Sequence, residues 1–271
     1  MKCRCLAVFS LILSWCSASW VASAADYPVG ASPDAMAVAD FDGKNGPDIV
    51  TANYHEDGGS YSYSLSLLLN DGTGRFSDPI SIPLDASAGS MAVADFNGDG
   101  FLDLAVAFSN GGGIAVLLND GTGKFAAQAP ITSGYWYIAV ADVNNDAKAD
   151  IVGSSNDGFA TFLGNGDGTF STPVTSAGTN DSFALGDVNR DGSIDLVTRR
   201  GVHPGDGSGR FGDTVLFQPA LENRLVLMDC NGDDVLDVAG DTVPVYSFAA
   251  VRVLLNDGTG RFVEKGMFAC G

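Results

Sequence analysis

The chain has 271 residues with 14 Lys and Arg against 33 Asp and Glu, a formal net charge of −19. That balance argues against nucleic acid and anionic membrane as partners, because phosphate binding needs clustered Lys and Arg. Hydrophobic residues make up 45% of the chain, which separates it from acidic disordered sequences and marks it as a packed domain.

Residues 1–24 read as an export signal: Lys2 and Arg4, an apolar run from Leu6 to Trp15, then the small residues Ala22-Ser23-Ala24, with cleavage expected after Ala24. The run is too short for a membrane span and no later stretch reaches ~18 apolar residues, so no membrane insertion is expected. The mature product is expected to be secreted or periplasmic. A lipid anchor at Cys16 is disfavoured by the bulk of Trp15 before it. Cleavage leaves 247 residues and a net charge of 12 − 33 = −21, with Cys230 and Cys270 as the remaining cysteines. These two form one disulfide in an oxidising compartment, or else are two small buried apolar side chains; the sequence leaves both readings open.

From residue 25 to 271 the chain is an array. Five segments share one order: MAVADFDGKNGPDIV (36–50), MAVADFNGDGFLDLAV (91–106), IAVADVNNDAKADIV (138–152), FALGDVNRDGSIDLV (183–197) and LVLMDCNGDDVLDVA (225–239). In each, a short apolar strand runs into an Asp-rich loop and out into a second apolar strand. Their first aspartates, Asp40, Asp95, Asp142, Asp187 and Asp229, are spaced by 55, 47, 45 and 42 residues. Each segment is followed by a third strand, a turn such as NDGTGRF (70–76), NDGTGKF (119–125), NGDGTF (165–170), GDGSGRF (205–211) or NDGTGRF (256–262), and a fourth strand. Asn-Asp-Gly and Gly-x-Gly supply the positive backbone angles of tight hairpins, so their Asp residues read as turn formers rather than ligands. Four short strands per unit at this period predict an all-β propeller with five blades; a stacked solenoid is the less fitting alternative.

The aspartate loops carry the chemistry. Counting the first Asp as position 1, position 3 is Asp42, Asn97, Asn144, Asn189 and Asn231; position 5 is Lys44, Asp99, Asp146, Asp191 and Asp233; position 9 is Asp48, Asp103, Asp150, Asp195 and Asp237. Oxygen ligands at 1, 3, 5 and 9 with a carbonyl at 7 suit a calcium ion. Lys44 is expected to weaken or replace the ion in the first loop. Position 6 favours Gly and has it at Gly100 and Gly192, whereas Ala147 and Asp234 suggest looser sites. An EF-hand is excluded, since position 12 is Thr51, Val106, Gly153, Thr198 and Gly240 instead of an acid, and β-rich sequence follows each loop.

The pairing of VADFNGDGFLDLAV with VLLNDGTGKF resembles the FG-GAP/VCBS repeat family, which includes the calcium-binding propeller of integrin alpha chains and certain fungal lectin propellers. The resemblance covers residues 36–268 and implies calcium in the loop joining strands one and two of each blade. Well-known members have seven blades where this chain shows five, so a compact five-bladed ring and an incomplete ring that associates both stay open.

Strand alternation puts the aspartate loops and the strand three-to-four hairpins on one face. The opposite face then collects NYHEDGGSYSYS (53–64), SGYWYI (133–138) and ALENRL (220–225), and with them Tyr54, Tyr135, Trp136, Tyr137 and Arg224 as candidates for a glycan or an extracellular or periplasmic protein ligand. Packing of Tyr135 and Tyr137 between blades is the competing reading. His55, Glu56 and Asp57 read as a solvated loop, and His203 shows no partner in the sequence. With no catalytic motif, the expected function is a binding or adhesion module. A polysaccharide-active enzyme using Arg199, Arg200, Glu222 and Arg224 is the alternative.

Overall fold

The computed structural model describes residues 26–109, 111–131, 134–179, 181–218, 220–222, 224–245 and 248–269. The expected export signal and Cys270 lie outside these residues. Among the described residues no helix is long and apolar enough to cross a membrane.

The strands follow the repeats. Blade one holds β1 (Pro33–Ala39), β2 (Asp48–Asp57), β3 (Ser60–Leu68) and β4 (Ile80–Leu84); blade two holds β5 (Ala88–Ala94), β6 (Asp103–Phe108), β7 (Ile114–Asn119) and β8 (Phe125–Ala127). Blade three has β9 (Tyr137–Ala141), β10 (Asp150–Ser155), β11 (Gly158–Phe162) and β12 (Val174–Ser176). Blade four has β13 (Phe183–Gly186), β14 (Asp195–Thr198), β15 (Gly201–His203) and β16 (Val215–Leu216), and blade five has β17 (Leu225–Met228), β18 (Asp237–Val245), β19 (Phe248–Asn256) and β20 (Phe262–Ala269). Each set forms one four-stranded antiparallel meander in chain order, so the protein is an all-β propeller of five blades. The first strands β1, β5, β9, β13 and β17 are neighbours in that sequence.

The second strand of a blade reads as an uninterrupted apolar run because both of its faces are covered. DLAVAF in β6 is buried at every residue, and DLVT in β14 likewise. A strand buried on one face only would alternate. The apolar clusters sit between consecutive blades. One joins Phe41, Val50 and Leu67 of blade one to Leu104 and Val106 of blade two. Others join Phe96 and Ala105 to Ile138 and Ile151, Val143 and Val152 to Leu196 and Phe211, and Val188 and Val197 to Val238 and Leu254.

Two side-chain devices seal these junctions. In blades two to five the Phe after the hairpin packs on position 2 of the preceding blade's loop: Phe125 on Phe41 at 5.8 Å and Phe170 on Phe96 at 5.6 Å between ring centroids, both edge-on, with Phe211 clustered with Val143 and Phe262 with Val188. The second device is an amide. Asn119 Nδ2 donates to Phe41 O of blade one (2.6 Å) and to Leu102 O of its own blade (3.0 Å), and Asn256 Nδ2 donates likewise to Val188 O (2.6 Å) and Leu236 O (3.0 Å).

The segment 53–64 is not the loop expected from its Gly and Ser content. It lengthens β2 and β3 into a hairpin that turns at Gly58 and Gly59, with Tyr54 opposite Tyr63 and Glu56 opposite Tyr61. Alternating Tyr and Ser gives one side of the ribbon large rings that pair across strands, which outweighs the flexibility of the small residues. His203 also differs from its expected isolation. It is buried, Nδ1 lies 3.1 Å from Gly212 O, and Nε2 lies 3.0 Å from Thr214 Oγ1.

Asn119→Ala strips a donor from two carbonyls at a dry junction, and leaving buried acceptors unpaired costs about 1–3 kcal/mol each. Urea unfolding is expected to show a loss of about 2–3 kcal/mol for this variant, against well under 1 kcal/mol for Asn70→Ala, whose exposed amide donates only to Pro47 O of its own blade.

Candidate functional site

In all five repeats the loop between strands one and two folds around its own acidic side chains. The position 1 carboxylate turns inward and accepts backbone N–H groups: Asp95 from Gly98, Asp99 and Gly100, Asp142 from Asp146 and Ala147, Asp187 from Asp191 and Gly192, Asp229 from Gly232, Asp233 and Asp234. Position 3 accepts from the N–H of position 5 in every loop, through Asp42, Asn97, Asn144, Asn189 and Asn231. The carboxylate at position 5 accepts from position 7, as Asp99 does from Phe101 and Asp233 from Val235. Three of the loops add a side-chain bond of 2.8–2.9 Å from Asn97, Asn189 or Asn231 Nδ2 to the neighbouring Asp99, Asp191 or Asp233.

This path requires left-handed backbone at positions 4 and 6 in every loop. Gly98 and Gly100 supply it without strain, whereas Asn145 (φ 56°) and Ala147 (φ 63°) adopt it in the third loop, and Gly232 is followed by Asp234 (φ 62°) in the fifth. Ala147 and Asp234, where looser sites are expected, hold the same backbone at a conformational cost. Non-glycine residues at position 4 also link the loops: Asn145 Nδ2 donates to Gly192 O (3.1 Å) and Arg190 Nη2 to Asp234 O (2.8 Å) of the next blade.

Position 9 behaves differently from 1, 3 and 5. Asp48, Asp103, Asp150, Asp195 and Asp237 each begin a second strand and are fully buried. One oxygen accepts the N–H of position 2, as Asp103 Oδ2 does from Phe96 (2.8 Å), and the other accepts an N–H of the strand three-to-four hairpin, as Asp103 Oδ1 does from Asn119 (2.8 Å). The same pair of bonds recurs at Asp48, Asp150, Asp195 and Asp237. Burial, followed by the repulsion of the acids at positions 5 and 1, pushes the Asp103, Asp150 and Asp195 carboxyls above their ordinary range; Asp48 is raised by burial and by Asp42 and Asp40. Negative charge is thus concentrated in the loops, where backbone N–H groups meet position 9 and, nearer the surface, Lys44 and Lys148 each lie 3.7 Å from an acid, Asp42 and Asp146.

The first loop is the one whose acids converge most clearly. Oxygens of Asp40, Asp42 and Asp48 lie within 4.8 Å of one another, while Lys44, expected to fill or spoil the site, extends to 3.7 Å from Asp42 and is mostly exposed. In the other loops Asn97, Asn144, Asn189 and Asn231 replace the acid of position 3 with an amide. All the donors are hard oxygens, with no sulfur or imidazole among them, a set that fits a calcium-type cation and not a transition metal.

The hairpin aspartates are turn formers. Asp71, Asp120, Asp167 and Asp257 each accept from a Thr hydroxyl and a backbone N–H two residues on, and Asp206 does so from Ser208; the hydroxyl bond holds each carboxyl below its ordinary range.

On the opposite face the aromatic candidates separate. Tyr135 is buried, edge-on to Phe162 at 5.3 Å and seated over Gly153, so it belongs to the core and leaves the ligand candidates. Trp136 is half-buried with its backbone tied to Ser154, Tyr137 is exposed, Tyr54 is half-buried in the hairpin, and Arg224 is exposed. A cluster that sequence reading missed lies nearby: Asp181, 7% exposed, pairs with Arg199 at 2.7 Å and with Arg200 at 3.6 Å. Burial raises its carboxyl, but Thr179 and the two guanidinium groups outweigh this and hold it below the ordinary range. Arg199, Arg200 and Glu222 line a groove of about 400 Å³ with Phe217 and Leu221. The sequence singles out Arg199, Arg200 and Glu222, and only the folded chain adds Asp181 to them. Cys230 is exposed at position 2 of the fifth loop, and Cys270, its partner in one of the two open readings, lies outside the described residues.

Ala147→Gly is expected to stabilise the chain by about 0.5–1 kcal/mol in urea melts, because it relieves a left-handed alanine; the same change at Ala139, in the extended strand β9, should destabilise it.

Three comparisons bear on this geometry. A profile of the FG-GAP-like repeat matches residues 40–106, 95–153 and 142–198, more than half of the chain. No curated protein matches it significantly. Among solved structures, an Agrocybe aegerita lectin described as specifically recognising non-reducing terminal N-acetylglucosamine is similar at 18% identity, with a TM-score of 0.57 over 88% of this chain and 80% of that one. BBS1N, solved in complex with ARL6DN and soaked with lead, is similar at 14% identity, with a TM-score of 0.58 over 91% and 72%. At those identities the structures speak for the fold, and the profile with its recurring loop and hairpin speaks for the family: this chain belongs to the FG-GAP-like repeat proteins.

Proposed function

We propose that the chain is an exported calcium-stabilised propeller that acts as a binding or adhesion module, with a glycan or an extracellular or periplasmic protein as its ligand. The observation that carries the metal part is the repetition, five times in register, of a loop whose position 1 and 3 side chains accept backbone N–H groups beside a buried carboxylate at position 9, with a further carboxylate at position 5 in four of the five. Asp95, Asn97, Asp99 and Asp103, with their counterparts through Asp142, Asn144, Asp146, Asp150, Asp187, Asn189, Asp191, Asp195, Asp229, Asn231, Asp233 and Asp237, hold the ion; Asp40, Asp42 and Asp48 do so in the first loop. Calcium supplies the divalent charge that offsets clustered carboxylates. The chain's contribution is to fix their directions beforehand through backbone N–H bonds. Because the ion binds the folded loop, its role is stability rather than chemistry.

A binder is favoured over an enzyme by the disposition of the reactive groups. Asp181 is committed to two arginines, His203 to backbone and hydroxyl, and His55, Glu56 and Asp57 stand exposed along an extended hairpin strand. The groove beside Arg199, Arg200 and Glu222 and the exposed ring of Tyr137 are the surfaces we assign to the ligand, on the face away from the metal loops. The resemblance to a glycan-recognising lectin supports a sugar ligand.

Calcium at a hundredfold excess over Kd is expected to add about 2.7 kcal/mol for each independent site. A calorimetric titration should therefore show a higher Tm with calcium, reversed by chelator, and Asp99→Ala should remove one binding equivalent while the rest remain. A melting curve insensitive to calcium would overturn the metal reading. On a glycan array run with and without calcium, including terminal N-acetylglucosamine, retention without turnover is expected; release of reducing ends would favour the enzyme.

A further inference from the structure

The two ends of the blade array carry faces that match each other. In blades two to five, the residues two and four before the first loop Asp pack against the preceding blade: Met91 and Val93 in the first cluster, Ile138 and Val140 in the second, Phe183 and Leu185 in the third junction, Leu225 and Leu227 in the fourth. In blade one the equivalent residues, Met36 and Val38, are each 56% exposed. The other side of the first strand faces the following blade, through Ala37 and Ala39 in blade one and Ala92 and Ala94 in blade two. In blade five those places are taken by Val226 and Met228, which are 48% and 44% exposed.

Hydrogen bonding tells the same story. Asn119 and Asn256 each bond a position 2 carbonyl of the blade before, whereas Asn70, at the same place in blade one, bonds only its own blade. The carbonyl that would complete it belongs to position 2 of a fifth loop, at Cys230. That residue is exposed, while Phe41, Phe96, Val143 and Val188 at the same position are buried under a hairpin Phe. Phe76, the hairpin Phe of blade one, is met by Tyr27 at 5.4 Å instead, so the outer part of this face is already covered and the inner strand is what remains free.

We propose that blade one of one copy docks on blade five of a second copy, head to tail, so that Met36 and Val38 pack on Val226 and Met228 and Asn70 reaches the Cys230 carbonyl. These four side chains are exposed, and Val226 with Met228 is bulkier than the Ala pairs of the internal junctions, which sets this junction apart from those within the chain. The interface is heterologous, so it closes into a small ring or extends into a chain of copies according to its angle.

Sedimentation of the intact chain tests this. Wild type is expected to gain mass with concentration, and Val38→Asp and Val226→Asp should each remain closer to one chain, with unchanged circular dichroism because both positions are exposed. Mixing the two variants should restore a dimer, since each brings the face that the other lacks. A symmetric interface would give no such complementation. One-chain mass at every concentration, by closure of the ring on itself or by faces that stay bare, overturns the proposal; so does association that neither substitution weakens.

Discussion

The carboxylate at position 9 is the interaction on which the rest depends. Taken out of water, an aspartate is costly unless donors meet it, and here each one meets two backbone N–H groups from different parts of the chain, position 2 of the loop and the hairpin between strands three and four. One residue thereby ties both turns of a blade to the start of its second strand, and it does so identically in five repeats. With the loop anchored, position 2 points into the junction, the hairpin Phe covers it, and the blades register against one another.

The same anchoring prepares the metal site. Side chains at positions 1, 3 and 5 are held inward by amides, so little ordering is left for an ion to induce. That arrangement concentrates charge, which burial at position 9 aggravates. On the proposed reading a cation offsets that charge loop by loop, and the bonds of Asn145 to Gly192 and of Arg190 to Asp234 join the third loop to the fourth and the fourth to the fifth. The ligand surface we propose lies on the far face, where a groove with two arginines, an exposed tyrosine and an extended hairpin are found.

Repetition also explains why the ends matter. Each blade offers one side to its predecessor and another to its successor, so a row of five has two unmatched sides of complementary kind. The exposure of Met36 and Val38 follows from their rank in the row rather than from their chemistry, since Met91, Val93, Leu225 and Leu227 in equivalent places pack against the preceding blade.

The blade number, the strand order and the aspartate loops were legible in the sequence, because a repeat displays its strands, turns and ligand positions at a fixed period, and local chemistry such as Asn-Asp-Gly specifies a hairpin wherever it falls. Composition misled where pairing overrode it, as in 53–64, where cross-strand tyrosines make a ribbon of what reads as a loop. Only the tertiary structure separated Tyr135 from Tyr137, brought Asp181 to Arg199 and Arg200, and revealed that position 9 is an anchor as well as an acid. Burial and contact between residues distant in the chain depend on which blade stands next to which, and no local pattern encodes that.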